Sequence, residues 1–225
     1  MLPRVILVGG WEFTKEDGID EKIANLTDGN ILLIPDASKF PEKQIDRAID
    51  VYKRYSTRVI LLEEKAKKLP ERTRVVYLGG GQPEKLMEYL MGHRSLLQDI
   101  TERWLSRKIV LAGSSTGAMA QFEEMLAEDS RGRGRTNLIP GLGLIKNNAV
   151  VIPHWNEPNA SYEWREEFLE NHRGKQIITI DEYTALFWRD KSAEVVGLGT
   201  VNIVYEGKIN VYKKGDIIKG LDLLT

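Results

Sequence analysis

The segment KIVLAGSSTGAMAQ (residues 108–121) runs an apolar, strand-like stretch into a turn of small residues and then into a sequence typical of a helix. A buried strand that leads directly into a helix is the unit from which α/β sheets are built. The turn GSSTG (113–117) fits the pattern G-x-S-x-G, in which a serine occupies a sharp turn between two flanking glycines. The segment therefore indicates an α/β fold. It leaves open whether Ser115 is a nucleophile or part of a Gly/Ser-rich turn that caps a helix or holds a phosphate.

Similar apolar runs recur along the chain and alternate with amphipathic stretches. Several are nearly continuous in Val, Ile and Leu, which is typical of strands buried on both faces of a parallel sheet. The predicted strands are 4–9, 30–35, 58–63, 74–79, 108–113, 149–153 and 176–180, and the predicted helices are 41–55, 83–92, 95–106 and 160–172. This order predicts a doubly wound, mostly parallel sheet with helices on both faces.

From residue 184 onward the pattern changes to short strands separated by turns, with Glu206-Gly207 as a hairpin turn. We interpret this part as a C-terminal antiparallel extension packed on the same core. A chain of 225 residues is of ordinary size for one α/β domain, so a single domain covering residues 1–225 is expected.

Composition excludes several kinds of site and partner. The chain has no cysteine, which excludes disulfides, thiolate metal sites and a cysteine nucleophile. With 32 basic and 33 acidic residues, its charge gives no reason to expect nucleic acid or an anionic membrane as a partner. No apolar run reaches the roughly 20 residues that span a bilayer, and Arg4 interrupts the N-terminal run, unlike a signal peptide. A cytoplasmic monomer or homodimer without cofactor or metal is expected.

Polar residues follow four of the predicted strands, at the edge where ligands bind in open α/β sheets. These places are GGGQ (79–82), GSSTG (113–117), PHWNE (153–157) and Asp181-Glu182. The three glycines of the first would let the main chain approach a ligand closely and offer free N–H groups. They do not form G-x-G-x-x-G, so a dinucleotide site is weakly supported.

A serine nucleophile needs a base, and the chain has three histidines. His93 and His172 lie at ends of predicted helices, where a partly positive imidazole suits the helix dipole. His154 instead follows a predicted strand on the same edge as Ser115, so it is the best candidate base. A phosphate-binding reading of GSSTG is weaker, because the lysine of a P-loop is missing.

A carboxylate is needed to orient the histidine and to stabilise its charged form. Asp181 and Glu182 end the next predicted strand, while Asp36 and Glu157 are competing candidates. The order Ser, His, acid differs from the Ser, acid, His order of α/β-hydrolases, so an esterase of that fold is disfavoured.

Taken in order, these segments resemble the serine peptidases related to dipeptidase E and cyanophycinase, which share the class I glutamine amidotransferase-like scaffold. The resemblance lies in GGGQPEKL (79–86), AGSSTGA (112–118), IPHW (152–155) and IDEYTAL (180–186). It implies a flavodoxin-like three-layer sandwich and an enzyme that cleaves small peptides through an acyl-enzyme. A catalytically inactive, ligand-binding member of the same scaffold is the alternative.

The resemblance also implies roles for individual residues. Ser115 corresponds to the nucleophile, His154 to the base and Glu182, rather than Asp181, to the third member. Gly80 or Gly81 would form the oxyanion hole together with the N–H of Thr116, which replaces the usual alanine and is expected to crowd the serine.

Substrate recognition is implied for three further places. Gln82 stands where dipeptidase E-like members carry asparagine, and Arg165 lies where such members have an arginine. Since family members often cleave after aspartate, Arg165 or the basic loop RGRGR (131–135) would bind the acidic side chain.

Overall fold

The structure is a computed structural model that describes residues 2–14, 18–26, 28–63, 66–127, 137–157 and 162–221. RGRGR (131–135) lies outside the described residues. The described elements are, in chain order, β1 (Val5–Val8), α1 (Ile19–Ala24), β2 (Asn30–Ile34), α2 (Pro41–Lys53), β3 (Val59–Ile60), β4 (Thr73–Leu78), α3 (Pro83–Gly92), α4 (Arg94–Leu105), β5 (Val110–Ser114), α5 (Thr116–Met119), β6 (Glu124–Ala127), β7 (Asn137–Pro140), β8 (Ala149–Ile152), α6 (Tyr162–Asn171), β9 (Gln176–Ile180), β10 (Thr184–Trp188), β11 (Ser192–Gly197), β12 (Thr200–Tyr205), β13 (Lys208–Lys213) and β14 (Ile217–Lys219).

An eight-stranded sheet forms the centre, with the strand order β14-β11-β10-β1-β5-β4-β2-β3. The five strands from β1 to β3 in this order pair in parallel, and β10, β11 and β14 add antiparallel to the edge at β1. The predicted α/β fold with a mostly parallel sheet and an antiparallel C-terminal extension is confirmed. The order brings β5, which leads to Ser115, directly beside β1.

A second sheet of four strands, in the order β13-β12-β9-β8, differs from the expected arrangement. The sequence placed 149–153 and 176–180 in the central sheet, but β8 and β9 pair with each other and with β12 instead. β8 (AVVI) is apolar and buried throughout, and β9 (QIITI) is mostly apolar and buried after its first residue, so either run could equally belong to a central parallel sheet.

Alternate residues of the central strands face two separate parts of the core. Ile6 and Val8 of β1 belong to a cluster that includes apolar residues of α1 and α2, whereas Val5 and Leu7 face α3, α4 and the second sheet. Each fully buried aliphatic side chain contributes about 1.5–3 kcal/mol. Burial on both faces explains why these strands have no polar alternation, and it confirms helices on both sides of the sheet.

Smaller elements depart from the predicted boundaries. Only Val59–Ile60 of the predicted strand 58–63 pairs with the sheet, and the β6–β7 hairpin and α1 had no prediction. The expected hairpin turn at Glu206-Gly207 joins β12 to β13, and both residues have positive φ, 50° and 76°. Among the helices within the described ranges, none has the length and apolar character needed to cross a membrane.

Candidate active site

Ser115 occupies a strained turn between β5 and α5. Its φ of 51° and ψ of −113° are rarely adopted by a residue with a side chain. The flanking glycines are required by packing: a Cβ at Gly113 would lie 2.2 Å from the Gly117 oxygen, and one at Gly117 would lie 2.0 Å from the Leu78 oxygen. The pattern G-x-S-x-G therefore follows from the close approach of backbone segments. The sharp, strained turn presents the Ser115 side chain at the edge of the sheet.

The structure brings Ser115, His154 and Glu182 together. His154 Nε2 lies 2.9 Å from Ser115 Oγ, and His154 Nδ1 lies 2.9 Å from Glu182 Oε1. A carboxylate can only accept, so Nδ1 carries the proton and Nε2 is left to accept the hydroxyl proton of Ser115. This arrangement is the one needed to take a proton from a serine during attack.

The other candidate acids lie in different surroundings. Asp181 Oδ2 accepts hydrogen bonds from the Thr200 N–H and hydroxyl at 2.8 and 2.9 Å, so this carboxylate ties β9 to β12. Asp36 lies near His93, and burial raises its pKa more than its backbone hydrogen bond and the nearby histidine lower it. Glu182, by contrast, is held by a hydrogen bond from its own N–H to Asn156 Oδ1 at 2.8 Å.

Two glycines after β1 make room for the histidine and the acid. The Gly9 oxygen accepts a hydrogen bond from the His154 N–H at 2.9 Å, and the Gly10 oxygen accepts one from the Tyr183 N–H. A Cβ at Gly10 would lie 2.2 Å from Cε1 of the His154 ring. The sequence analysis missed this pair. The signal was the same as at residues 79–81, a strand that ends in more glycine than a turn needs.

Backbone strain is concentrated around the same place. Nine described residues other than glycine have positive φ, and five of them lie in the segments that form the site: Trp11, Phe13, Ser115, His154 and Tyr183. Such conformations cost about 1–3 kcal/mol each and persist only where the surrounding structure enforces them. The site is therefore built at the expense of stability, as functional sites often are.

The glycine turn after β4 lies against the elbow. A Cβ at Gly80 would lie 3.2 Å from Ser115 Cβ, so Gly80 borders the serine directly. Gly81 has φ of +147°, and its oxygen accepts a hydrogen bond from Thr116 Oγ1 at 2.6 Å. Thr116 is the first residue of α5, where a backbone N–H has no acceptor within the helix. Gly80 and Thr116 therefore border the serine, and their N–H groups are candidate donors for an oxyanion hole.

Thr116 does not crowd the serine, contrary to the expectation from the sequence. Its side chain has no exposed surface and points its hydroxyl at the Gly81 oxygen. The threonine therefore joins the elbow to the glycine turn, a contact that an alanine could not make.

Thr116→Val should loosen this connection while it preserves the shape of the side chain. The loss of one hydrogen bond is expected to lower the free energy of unfolding by about 1 kcal/mol. Attack of Ser115 on a carbonyl group should slow by about tenfold because the two segments that border the serine are no longer held together. Chemical denaturation and steady-state kinetics measure both effects, and Thr116→Ser, which keeps the hydroxyl, is the control. Equal activity of the valine and serine variants would contradict this role.

A cavity of about 530 Å³ opens beside the site. Its wall includes His154 and Glu182, with Glu12 near the elbow and the basic residues Lys43 and Arg47 of α2. Within the described part of the chain, neither Gln82 nor Arg165 belongs to this wall, although both were expected to bind substrate. Gln82 instead precedes α3, and its N–H donates to the Ala37 oxygen at 2.7 Å.

Arg165 lies behind the histidine. Only 3% of its surface is exposed, and its guanidinium donates to the backbone oxygens of His154 and Glu157, each at 3.4 Å. The same guanidinium stacks over the Trp155 ring at 4.8 Å from the centroid. In this arrangement the arginine supports the loop that carries His154, and its charge does not face the cavity.

His154, Glu157 and Glu182 are also close enough to share a cation, with one ligand atom of each within 4.8 Å of the others. Both nitrogens of the His154 ring are already engaged by Ser115 and Glu182. A metal ion would have to displace one of these contacts, so the arrangement suits proton transfer better than metal binding.

Comparisons with known proteins identify relatives of this chain. The sequence profile of Peptidase family S51 matches residues 5–196. A cyanophycinase from Geminocystis herdmanii is 28% identical over 193 residues, which cover 79% of this chain and 70% of that protein.

Two solved structures show the same fold. A peptidase from an acI-B1 Actinobacterium superposes with a TM-score of 0.73 at 24% identity and covers 96% of both chains. A candidate peptidase E protein from Listeria monocytogenes EGD-e superposes with a TM-score of 0.60 at 17% identity, covering 87% of this chain and 98% of the other.

Proposed function

Because the chain belongs to peptidase family S51 and is a serine peptidase, we propose that it hydrolyses short peptides with Ser115 as the nucleophile, His154 as the general base and Glu182 as the orienting carboxylate. The observation that carries the proposal is the chain of two 2.9 Å contacts from Ser115 Oγ through the His154 ring to Glu182. The resemblance of four sequence segments to dipeptidase E and cyanophycinase points to the same residues.

The reaction begins when Ser115 Oγ attacks the carbonyl carbon of the scissile bond and its proton passes to His154 Nε2. Glu182 stabilises the imidazolium that forms and holds the ring in place. The same proton is then given to the leaving amine, and water, activated by His154, hydrolyses the acyl-enzyme. A positioned base contributes a factor of about 10²–10⁴ to such a reaction.

The negative charge on the carbonyl oxygen is taken up by backbone N–H groups. The N–H of Thr116 at the start of α5 and that of Gly80 or Gly81 are the candidate donors, and Gly80 is favoured because it borders both Ser115 and the cavity. One such donor stabilises the transition state by about 2.7–4 kcal/mol. The hydrogen bond from Thr116 to Gly81 keeps the two donor segments in register.

The proposed substrate is a short peptide with an acidic residue, such as an aspartyl dipeptide. Lys43 and Arg47 lie four residues apart on α2, hence on one helix face, and both line the cavity. Their exposed cationic ends are suited to a substrate carboxylate, which Arg165 is not because it is buried behind His154. The resemblance to dipeptidase E supports a preference for an aspartyl residue. The similarity to a cyanophycinase also supports a peptide substrate related to an aspartyl dipeptide.

The proposal is tested by a fluorophosphonate probe and a panel of dipeptides. The wild-type protein should be labelled on Ser115 and should cleave aspartyl dipeptides faster than neutral ones. Ser115→Ala should abolish both labelling and hydrolysis, while Ser114→Ala, which changes the neighbouring serine, should keep the label. Labelling that persists in folded Ser115→Ala protein would refute the assignment of the nucleophile.

A further inference from the structure

Glu12 is a carboxylate in the cavity that the proposed reaction does not use. It follows β1 in the segment Gly10-Trp11-Glu12-Phe13, and its neighbours are anchored. Trp11 stacks on Tyr183 at 5.9 Å between ring centroids, and Phe13 is buried against Tyr77. The direction of the Glu12 side chain is therefore set by the contacts of the residues on either side of it.

Two neutral groups hold the carboxylate. Oε2 accepts a hydrogen bond from the buried Ser114 hydroxyl at 2.5 Å, and Oε1 accepts one from Gln44 Nε2 at 2.6 Å. Neither donor carries a charge, so these contacts orient the carboxylate without neutralising it. Gln44 is itself nine-tenths buried and lines the cavity, and within the described residues its amide oxygen has no donor. The Glu12 carboxylate and the amide oxygen of Gln44, which has no donor within the described residues, therefore lie next to each other.

Gly80 lies between Glu12 and the proposed nucleophile, and its missing side chain leaves a space between them. A Cβ on Gly80 would lie 3.2 Å from Ser115 Cβ and 3.5 Å from Glu12 Oε1. The glycine thus leaves a narrow space with the serine on one side and the carboxylate on the other. Glu12, Gly80 and His154 all contribute to the cavity wall, so a bound substrate has access to each of them.

We infer that Glu12 binds the α-ammonium group of the substrate residue whose carbonyl Ser115 attacks, which makes the protein selective for peptides with a free amino terminus. The α-nitrogen is two bonds from the scissile carbonyl carbon, at roughly 2.5 Å. Its binding group must therefore lie beside the nucleophile, as Glu12 does, and not deep in a side-chain pocket. The inference rests on the proposed function, because it takes Ser115 as the reference point of the reaction.

The chemistry fits an ammonium group. It offers three donors and a positive charge, and a carboxylate with two of its lone pairs occupied still accepts further hydrogen bonds. Charge-assisted hydrogen bonds of this kind are about twice as strong as neutral ones. Cleavage after the first residue follows, and dipeptides are the shortest substrates that satisfy both Glu12 and the reacting carbonyl.

Binding to the Ser115→Ala protein tests the inference without any turnover. L-Aspartyl-L-alanine is compared by calorimetry with succinyl-L-alanine, which is the same molecule without its α-amino group. L-Alanyl-L-alanine and propionyl-L-alanine form a second pair that does not depend on an acidic side chain. The amine-containing member of each pair should bind about 10- to 100-fold more tightly. Adding Glu12→Gln should remove this preference and leave binding of the amine-free members unchanged.

Each other outcome has a definite meaning. If Glu12→Gln weakens both members of a pair equally, Glu12 acts only by holding Ser114 and Gln44, and the inference is overturned. It is also overturned if no member binds, or if Glu12→Asp and Glu12→Gln both keep the full preference for the amine. The binding preference can hold even if the fluorophosphonate experiment fails, so failure of the proposed function is recognised separately.

Discussion

We expect Glu182→Gln to lower kcat for peptide hydrolysis by about 10³- to 10⁴-fold while it leaves the fold intact. The glutamine amide can donate to His154 Nδ1, which favours the tautomer with its proton on Nε2, where it cannot accept the proton of Ser115. The contact of 2.9 Å from Glu182 Oε1 to Nδ1 is the observation that motivates the change. Steady-state kinetics measure the loss, and the melting temperature should stay within a few degrees of wild type.

Asp181→Asn is the matched control, because it neutralises the adjacent acid. Asp181 accepts two hydrogen bonds from Thr200 and is 8% exposed, so its amide variant should lose stability and keep its kcat. Asp181→Asn with a catalytic defect as large as that of Glu182→Gln would show that the orienting role of Glu182 is wrong.

Gly10→Ala should lower kcat by about 10²- to 10³-fold through the position of His154. The new methyl group would lie 2.2 Å from the imidazole Cε1, and the ring would have to leave its place between Ser115 and Glu182. A displacement of about 1 Å in a catalytic group is enough for a 10²-fold loss. Kinetics with a saturating dipeptide and labelling by the fluorophosphonate probe should fall together.

Gly18→Ala separates this steric effect from backbone strain. Gly18 also has positive φ, 77°, but no atom lies within 4 Å of the position of its missing Cβ. The alanine variant should lose about 1 kcal/mol of stability and no activity. If Gly10→Ala keeps wild-type kcat, the imidazole does not work from the position described.

The features of the fold that depend on local sequence patterns could be predicted from the sequence. Continuous apolar runs such as residues 74–79 and 108–113 identify buried parallel strands, because burial on both faces removes polar alternation. The assignment of β8 and β9 to a second sheet could not be predicted, since an apolar strand carries no mark of the sheet it will join. Strand order is likewise a long-range property, and the neighbourhood of β1 and β5 is set by packing.

In the candidate site, too, features that depend on local sequence could be predicted and those that depend on long-range packing could not. Ser115, His154 and Glu182 each follow a strand, so the rule that ligands bind beyond strand ends made them candidates. The choice of Glu182 over Asp181 came from the family resemblance. Glu12 and Gly10 reach the site only because β1 lies beside β5, and a single acid in a loop gives no signal of that. For Arg165, the position on a helix near His154 was predictable from the sequence. Its burial behind the loop that carries His154 was not.

The candidate catalytic residues come from both sheets: Ser115 follows β5 of the large sheet, and His154 follows β8 of the small one. Their 2.9 Å contact therefore spans the boundary between the two sheets, where apolar side chains of both sheets belong to one core cluster. A slide of one sheet over the other by the width of a hydrogen atom would leave every helix and strand intact and yet uncouple the proton relay. The catalytic rate is therefore more sensitive to the relative position of the two sheets than any spectroscopic measure of secondary structure.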